Sequence, residues 1–156
     1  DDEAECHRQL AECYLEANES ERALTACQEA LAHVTKVTNR KEEGNIYRVL
    51  GNAYLQEGGP ASALTHLEKS VAILHGLNQE VDLGPALYDY AQALTQLKQT
   101  TLAQEQLSAA LELFERLGLP REQERVQAAL DQLFRECPQG AAPSVYSSAG
   151  SGATPP

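Results

Sequence analysis

Residues 47–71 read YRVLGNAYLQEGGPASALTHLEKSV, and segments of the same pattern stand 40 residues before and after them, at 7–31 and 87–111. The three segments align without gaps. Small residues recur at two positions, occupied by Ala11, Gly51 and Ala91 and by Ala23, Ala63 and Ala103. Large apolar residues flank the first of these positions, at Leu10, Leu50 and Tyr90 and at Tyr14, Tyr54 and Leu94. Self-similarity at one fixed period predicts a repeat architecture.

Each segment predicts two helices joined by a short turn. Apolar residues of the first segment follow helical spacing at Leu10, Tyr14 and Ala17 and again at Leu24, Cys27, Leu31 and Val34. Turn residues interrupt the three segments at Asn18 and Ser20, at Gly58-Gly59-Pro60 and at Thr100, which is expected to cap a helix. Between segments, Asn39 with Glu42 resembles a capping box. The predicted helix pairs span about 4–38, 44–78 and 84–118.

The pattern changes after Gly118, where Pro120 is suited to a first helical turn. Residues 120–136 place Val126, Leu130, Leu133 and Phe134 on one face, as expected of a helix that closes a stack. The predicted fold class is therefore all-α: a right-handed α-solenoid of three antiparallel helix pairs plus a C-terminal capping helix, within a domain at 1–136. Residues 137–156 are rich in Pro, Gly and Ser and predict a flexible tail or linker. One hypothesis is that Val145 and Tyr146 dock this tail on a groove.

Composition excludes several classes of function. The formal charge is −11, with 12 basic against 23 acidic residues, and no basic run occurs. Nucleic-acid binding needs clustered Lys and Arg, so neither a nucleic-acid nor an anionic-membrane partner is expected. No apolar run is long enough to span a bilayer. The chain does not begin with Met, as expected of a fragment or a processed form.

The four cysteines form no C-x-x-C pair and are expected to be reduced thiols, which favours a cytoplasmic location. Cys27 is expected in the core, and Cys13 with Cys27 is the one pair to check for a disulfide, because the two lie on adjacent predicted helices.

The residues Tyr47, Leu50, Gly51, Tyr54, Ala63 and Leu67 resemble the tetratricopeptide-repeat signature. The resemblance covers about residues 4–118, with Ser70 in place of a later Ala and His75 in place of the terminal Pro. The 40-residue period is similar to the subclass with lengthened helices. The resemblance implies that the first helix of each pair lines a concave groove, as in scaffolds that bind extended peptides.

By the register of that family, the groove positions fall on the first helix of each unit. The candidate peptide-binding residues are Arg8, Glu12, Asn45, Arg48, Asn52, Tyr88 and Gln92. Asn52 is the sharpest candidate, because the L-G-N-x-Y run resembles repeats whose Asn grips the main chain of a peptide. The other two units carry Glu12 and Gln92 there, which departs from a regular ladder of Asn side chains.

The expected function is a non-catalytic protein–protein interaction module that binds a peptide or protein segment in this groove. The alternative is a spacer or self-association module of a larger regulatory protein. No phosphate-binding loop, H-E-x-x-H or G-x-S-x-G motif occurs, so no catalytic residue, metal site or cofactor is expected. The expected partner is another protein or peptide that is basic or of mixed charge.

The small residues of the repeat generate a stability prediction. If Gly51 and Ala63 lie where two helices cross, Gly51→Trp or Ala63→Leu overpacks the crossing and lowers the free energy of unfolding by roughly 1–3 kcal/mol. Thermal denaturation of both variants checks this prediction, and unchanged melting temperatures would contradict the proposed pairing of helices.

Overall fold

A computed structural model describes residues 2–136. Within them all regular structure is helical, in seven helices: α1 Asp2–Glu16, α2 Ser20–Val37, α3 Arg40–Gln56, α4 Pro60–Gly76, α5 Glu80–Gln96, α6 Thr100–Leu117 and α7 Pro120–Glu136. The predicted all-α solenoid of three helix pairs and a closing helix is confirmed. Cys137 and the predicted tail with Val145 and Tyr146 lie outside the described residues.

The helices stack in chain order, each against the next, and the stack has an inner and an outer side. The first helices of successive pairs also touch each other directly, α1 against α3 and α3 against α5. The second helices α2, α4 and α6 make no comparable contact with one another. The inner layer of first helices is therefore tight, and the outer layer of second helices is splayed.

Six of the turns share one conformation at an interval of 20 residues. One residue in the turn after each of the first six helices has a positive φ: the first after the helix at Thr38 and Gly118, and the second at Asn18, Gly58, Asn78 and Lys98. At five of these turns the next residue donates its backbone N–H to the carbonyl five positions earlier, as in Gly59 to Tyr54 at 2.8 Å. This is the hydrogen bond of a Schellman motif, which satisfies carbonyls that a helix end leaves free.

The residue that closes one helix also begins the next, which keeps the turns short. Gly59 is the N-cap of α4, and Pro60 follows at the first helical position, as predicted. Only half of the predicted capping box forms: the Asn39 side chain accepts the backbone N–H of Glu42 at 3.2 Å, but the Glu42 carboxylate pairs with Arg8 and not with the Asn39 N–H. The predicted cap at Thr100 is wrong: α6 begins at Thr100, and its N-cap is Gln99, which makes no side-chain cap bond.

Small residues lie where the two helices of each pair cross. A Cβ placed on Gly51 would stand 2.8 Å from Cδ2 of Leu67, and one on Gly84 would stand 2.5 Å from Cε1 of Phe114. Both distances are shorter than a methyl group tolerates, so the backbones approach as closely as glycine allows. Gly84 belongs to a third small position of the repeat, shared with Ala4 and Gly44, which the sequence alignment above did not single out.

Two apolar residues expected in the core lie at the open ends of the stack. Leu10 is 43% exposed, although its counterpart Leu50 is buried against the first unit. Leu10 lacks such a cover because α1 is the first helix described. Phe134 is 46% exposed, because no described second helix packs on α7, whereas Val126, Leu130 and Leu133 of the same helix are buried.

The structure also tests the expectations that the cysteines are reduced and that no segment spans a membrane. Cys6, Cys13 and Cys27 are free thiols, so the Cys13–Cys27 pair is not bridged. Cys27 is fully buried, as predicted, and burial raises the pKa of its thiol to about 12. No helix within residues 2–136 combines the length and apolar character needed to cross a membrane.

Ser70 generates a prediction, because it is fully buried and its hydroxyl has no hydrogen-bond partner among the described residues. The equivalent positions are the buried Ala30 and Ala110. Ser70→Ala removes an unsatisfied polar group and is expected to raise the free energy of unfolding by about 1–2 kcal/mol in a urea titration. The exposed Ser108 is the matched control: Ser108→Ala gains only a few tenths of a kcal/mol from helix propensity. Equal gains for the two variants would contradict the reading of Ser70.

Candidate binding groove

The inner face of the stack carries a chain of polar side chains on α1, α3 and α5. Four of the predicted groove residues meet there: Arg8 and Glu12 on α1, and Arg48 and Asn52 on α3. The direct contacts of α1 with α3 and of α3 with α5 bring these side chains together. The family register therefore places them on one continuous surface.

Asp89 of α5 is the centre of this surface. Its Oδ2 accepts hydrogen bonds from Nη1 of Arg48 at 3.2 Å and from Nδ2 of Asn52 at 2.8 Å. Only 13% of the Asp89 side chain is exposed. Burial raises the pKa of this carboxyl, while the positive charge of Arg48 and the Asn52 bond act in the opposite direction. The paired donors thus offset part of the cost of holding a carboxylate away from water.

Sequence reasoning missed Asp89. The equivalent position in the second unit is Val49, which is buried, so an isolated acid at this register was a usable signal. A carboxylate that replaces a core residue has to find donors nearby, and here the donors come from α3.

Arg8 forms a second cluster with two carboxylates. It donates to Oε1 of Glu42 through Nε and to Oε1 of Glu12 through Nη1 at 2.8 Å. The same Glu12 oxygen lies 3.9 Å from Nη2 of Arg48. Glu12 therefore connects the Arg8 cluster to the Asp89 cluster, and the two form one charge network across three helices.

Glu42 was expected at a helix start and not in the groove. It is almost wholly buried, and its backbone N–H is the one capped by Asn39. The Asn39 cap that begins α3 thus holds the backbone of the residue whose carboxylate binds Arg8.

The third unit of the groove lies against the closing helix. The guanidinium of Arg125 on α7 stands 4.3 Å from the centre of the Tyr88 ring, a cation–π contact. Gln92 lines a small cleft of about 70 Å³ together with Ala129, Gln132 and Leu133 of α7. Arg125 is a basic residue that sequence reasoning left out of the groove, since it belongs to the closing helix and not to a repeat.

The predicted groove residues therefore differ in how many hydrogen-bonding groups they leave available to a ligand. Asn52 already donates one N–H to Asp89, so one N–H and the carbonyl oxygen of its amide are available to a peptide. Asn45 is half-buried and makes no side-chain hydrogen bond recorded among residues 2–136. Arg8 is only 15% exposed, so it holds the network in place more than it reaches out.

Comparison with known proteins supports the fold at two levels. Residues 2–74 match the family described as tetratricopeptide repeat. This confirms the resemblance carried by Tyr47, Leu50, Gly51 and Ala63, which lie within the matched region. No curated protein matches the chain in sequence.

Solved structures extend the likeness beyond the matched residues. The apo form of RapI superposes with a TM-score of 0.79 at 16% identity, over 86% of this chain and 49% of RapI. The chain thus spans about half the length of RapI. The TPR domain of Arabidopsis FLU has a TM-score of 0.68 at 20% identity, over 74% of this chain and 97% of that domain. A TPR-like protein of Chlorobium tepidum TLS has a TM-score of 0.68 at 20% identity, over 84% of this chain and 94% of its own. At these identities the similarity establishes the fold alone.

The pairing of Arg48 with Asp89 generates a prediction about stability. In a double-mutant cycle with Arg48→Ala and Asp89→Ala, we expect a coupling energy of about 1–3 kcal/mol, because both groups are largely withdrawn from water. Urea titrations of the four proteins measure it. The control cycle uses the Arg40–Glu43 pair within α3, whose arginine is 56% exposed and whose coupling should stay below about 0.5 kcal/mol. A coupling for Arg48 and Asp89 no larger than the control would show that solvent screens the network.

Proposed function

We propose that this chain is a protein-interaction module whose groove on α1, α3 and α5 binds an extended polypeptide segment, since residues 2–74 match the tetratricopeptide-repeat family and the remaining described helices continue the same fold. The single observation that supports this most is the charge network that links all three first helices on the inner face. The fold itself is one that suggests protein–protein interaction.

The network has the properties of a prepared binding surface. Its groups are partly exposed, with 36% of Glu12 and 27% of Arg48 open to solvent. They are also held by one another, so a ligand meets donors and acceptors whose positions need little further ordering. Carboxylates accept main-chain N–H groups, and arginine donates to carbonyls or carboxylates. Such a surface suits the main chain of an extended segment.

The charges of the network bear on the partner. Arg8, Arg48 and Arg125 face the carboxylates of Glu5, Glu12, Glu42 and Asp89, so the groove carries positive and negative groups in nearly equal number, with a slight acidic excess. The chain as a whole carries −11. We infer that the bound segment is of mixed charge and forms ion pairs with the arginines and carboxylates of the groove. We also infer that the rest of the partner is basic, because the net negative charge of this chain then increases the association rate at low salt. This proposal includes neither a catalytic role nor a bound cofactor, and it assigns the module to the cytoplasm.

The test uses a peptide selected against the immobilised full chain from a random library, with its Kd measured by calorimetry. The variant Arg48→Ala/Asn52→Ala removes the two α3 donors, and we expect at least about a tenfold loss of affinity. The matched control Arg40→Ala/Gln127→Ala removes an Arg and an amide outside the network and should leave Kd unchanged. Far-ultraviolet circular dichroism of each variant verifies that the helices persist.

Other outcomes would contradict the proposal. An unchanged Kd in the α3 variant places binding outside the groove. A dimer seen by light scattering that dissociates in the same variant, with no peptide selected, favours the alternative of self-association.

A further inference from the structure

A cleft of about 380 Å³ lies on the outer side of the stack, between α4 and α6. It opens where the second helices are splayed, on the face opposite the groove of α1, α3 and α5. Its floor is apolar and consists of Val71, Leu83, Leu87 and Leu113. The volume is at the lower end of the roughly 300–1,000 Å³ found for binding pockets.

The equivalent position in the second unit is occupied by an aromatic side chain. Leu87 is equivalent to Tyr47, which stands 40 residues earlier. The Tyr47 ring packs against the core of the first unit. The ring also contacts α4: Nζ of Lys69 lies 5.3 Å from the ring centre, and the centre of the His66 ring lies 6.2 Å away. The outer groove of the second unit is thus filled by an aromatic ring beneath a cation.

In the third unit each of these side chains is replaced. Leu87 stands for Tyr47, Ala109 for Lys69 and Gln106 for His66, and all three replacements line the cleft. Leucine lacks the aromatic ring, and alanine lacks both the stem and the charge of lysine. By repeat register, the cleft therefore corresponds to the position of the ring and its cation in the preceding unit.

A cation is still present at the rim of the cleft. Arg116 lines it and is 63% exposed, and its Nη2 is held at 2.9 Å by Oε1 of Glu80, another rim residue. A guanidinium at the rim of an apolar cleft favours an aromatic ring as occupant, because it can contact the ring face while the ring is buried. An aliphatic side chain gains only the burial.

We propose that this outer cleft binds an aromatic side chain, tyrosine or phenylalanine, of a partner polypeptide. The site is separate from the inner groove, so it stands or falls independently of the function proposed above. A partner that wraps around the edge of the stack would engage both faces, with main-chain contacts inside and an aromatic anchor outside.

The test titrates the full ¹⁵N-labelled chain with N-acetyl-tyrosinamide and follows backbone amide shifts. Saturable shifts are expected at Leu83, Leu87, Gln106 and Ala109. N-acetyl-leucinamide, the matched aliphatic probe, should bind at least about tenfold more weakly. Equal affinity for the two probes, or shifts confined to α1 and α3, would overturn the proposal.

Two reciprocal variants test the repeat argument. Leu87→Tyr/Ala109→Lys restores the filling of the second unit and is expected to abolish the saturable shifts. The exposed change Ala109→Lys alone keeps the core intact and adds the cation that Lys69 supplies over Tyr47, so it should strengthen binding of N-acetyl-tyrosinamide by about threefold. Conversely, Tyr47→Leu/Lys69→Ala opens an equivalent cleft and should add a second set of saturable shifts on α3 and α4. Unchanged binding in Ala109→Lys would overturn the site.

One further variant identifies the occupant. If Tyr146 of the chain itself filled the cleft, Tyr146→Ala would shift the same amides without any probe and would raise the affinity for N-acetyl-tyrosinamide. That outcome would overturn the assignment to a partner, and unshifted amides in Tyr146→Ala support it.

Discussion

The close approach of the two helices within each pair is the constraint on which the other features depend. At Gly51 and Gly84 there is no room for a Cβ, because Leu67 and Phe114 of the opposite helix already occupy that space. Glycine inside a helix costs about 1 kcal/mol relative to alanine. Burial of the large side chain on the opposite helix offsets this cost. Each pair consequently behaves as one rigid unit, and the fold is a stack of such units.

Because the helix pairs stack with a curvature, the inner face of first helices and the outer face of second helices differ in their side-chain contacts. First helices touch across units, so their polar side chains can form bonds between helices that are distant in the chain, as Arg48 and Asn52 do with Asp89. Second helices are splayed, so the outer face has gaps that only large side chains can close. Tyr47 closes one gap, and Leu87 leaves the next one open. The groove and the cleft thus have one geometric origin.

The candidate groove was predictable in its positions but not in its bonds. Family register placed Arg8, Glu12, Arg48 and Asn52 on the inner face, and the structure brings these four together. The register could not show that Asp89, about 40 residues further along the chain, would be their common partner. Hydrogen bonds between helices depend on the distance between two backbones, and a periodic pattern carries no information about that distance. The binding role of these residues remains a prediction.

Periodicity was sufficient for the number of helices, their pairing and the small residues at the crossings, because close packing restricts residue size at fixed positions along the chain. It also anticipated the short turn at Gly58-Gly59 and the cap at Asn39. The left-handed turns at Thr38 and Lys98 were not visible in it, since neither residue type favours a positive φ. Only the tertiary structure decided three other features: the pairing of charges, the exposure of residues at the ends of the stack, and the position of the cleft. Each of them depends on neighbours that are remote in sequence.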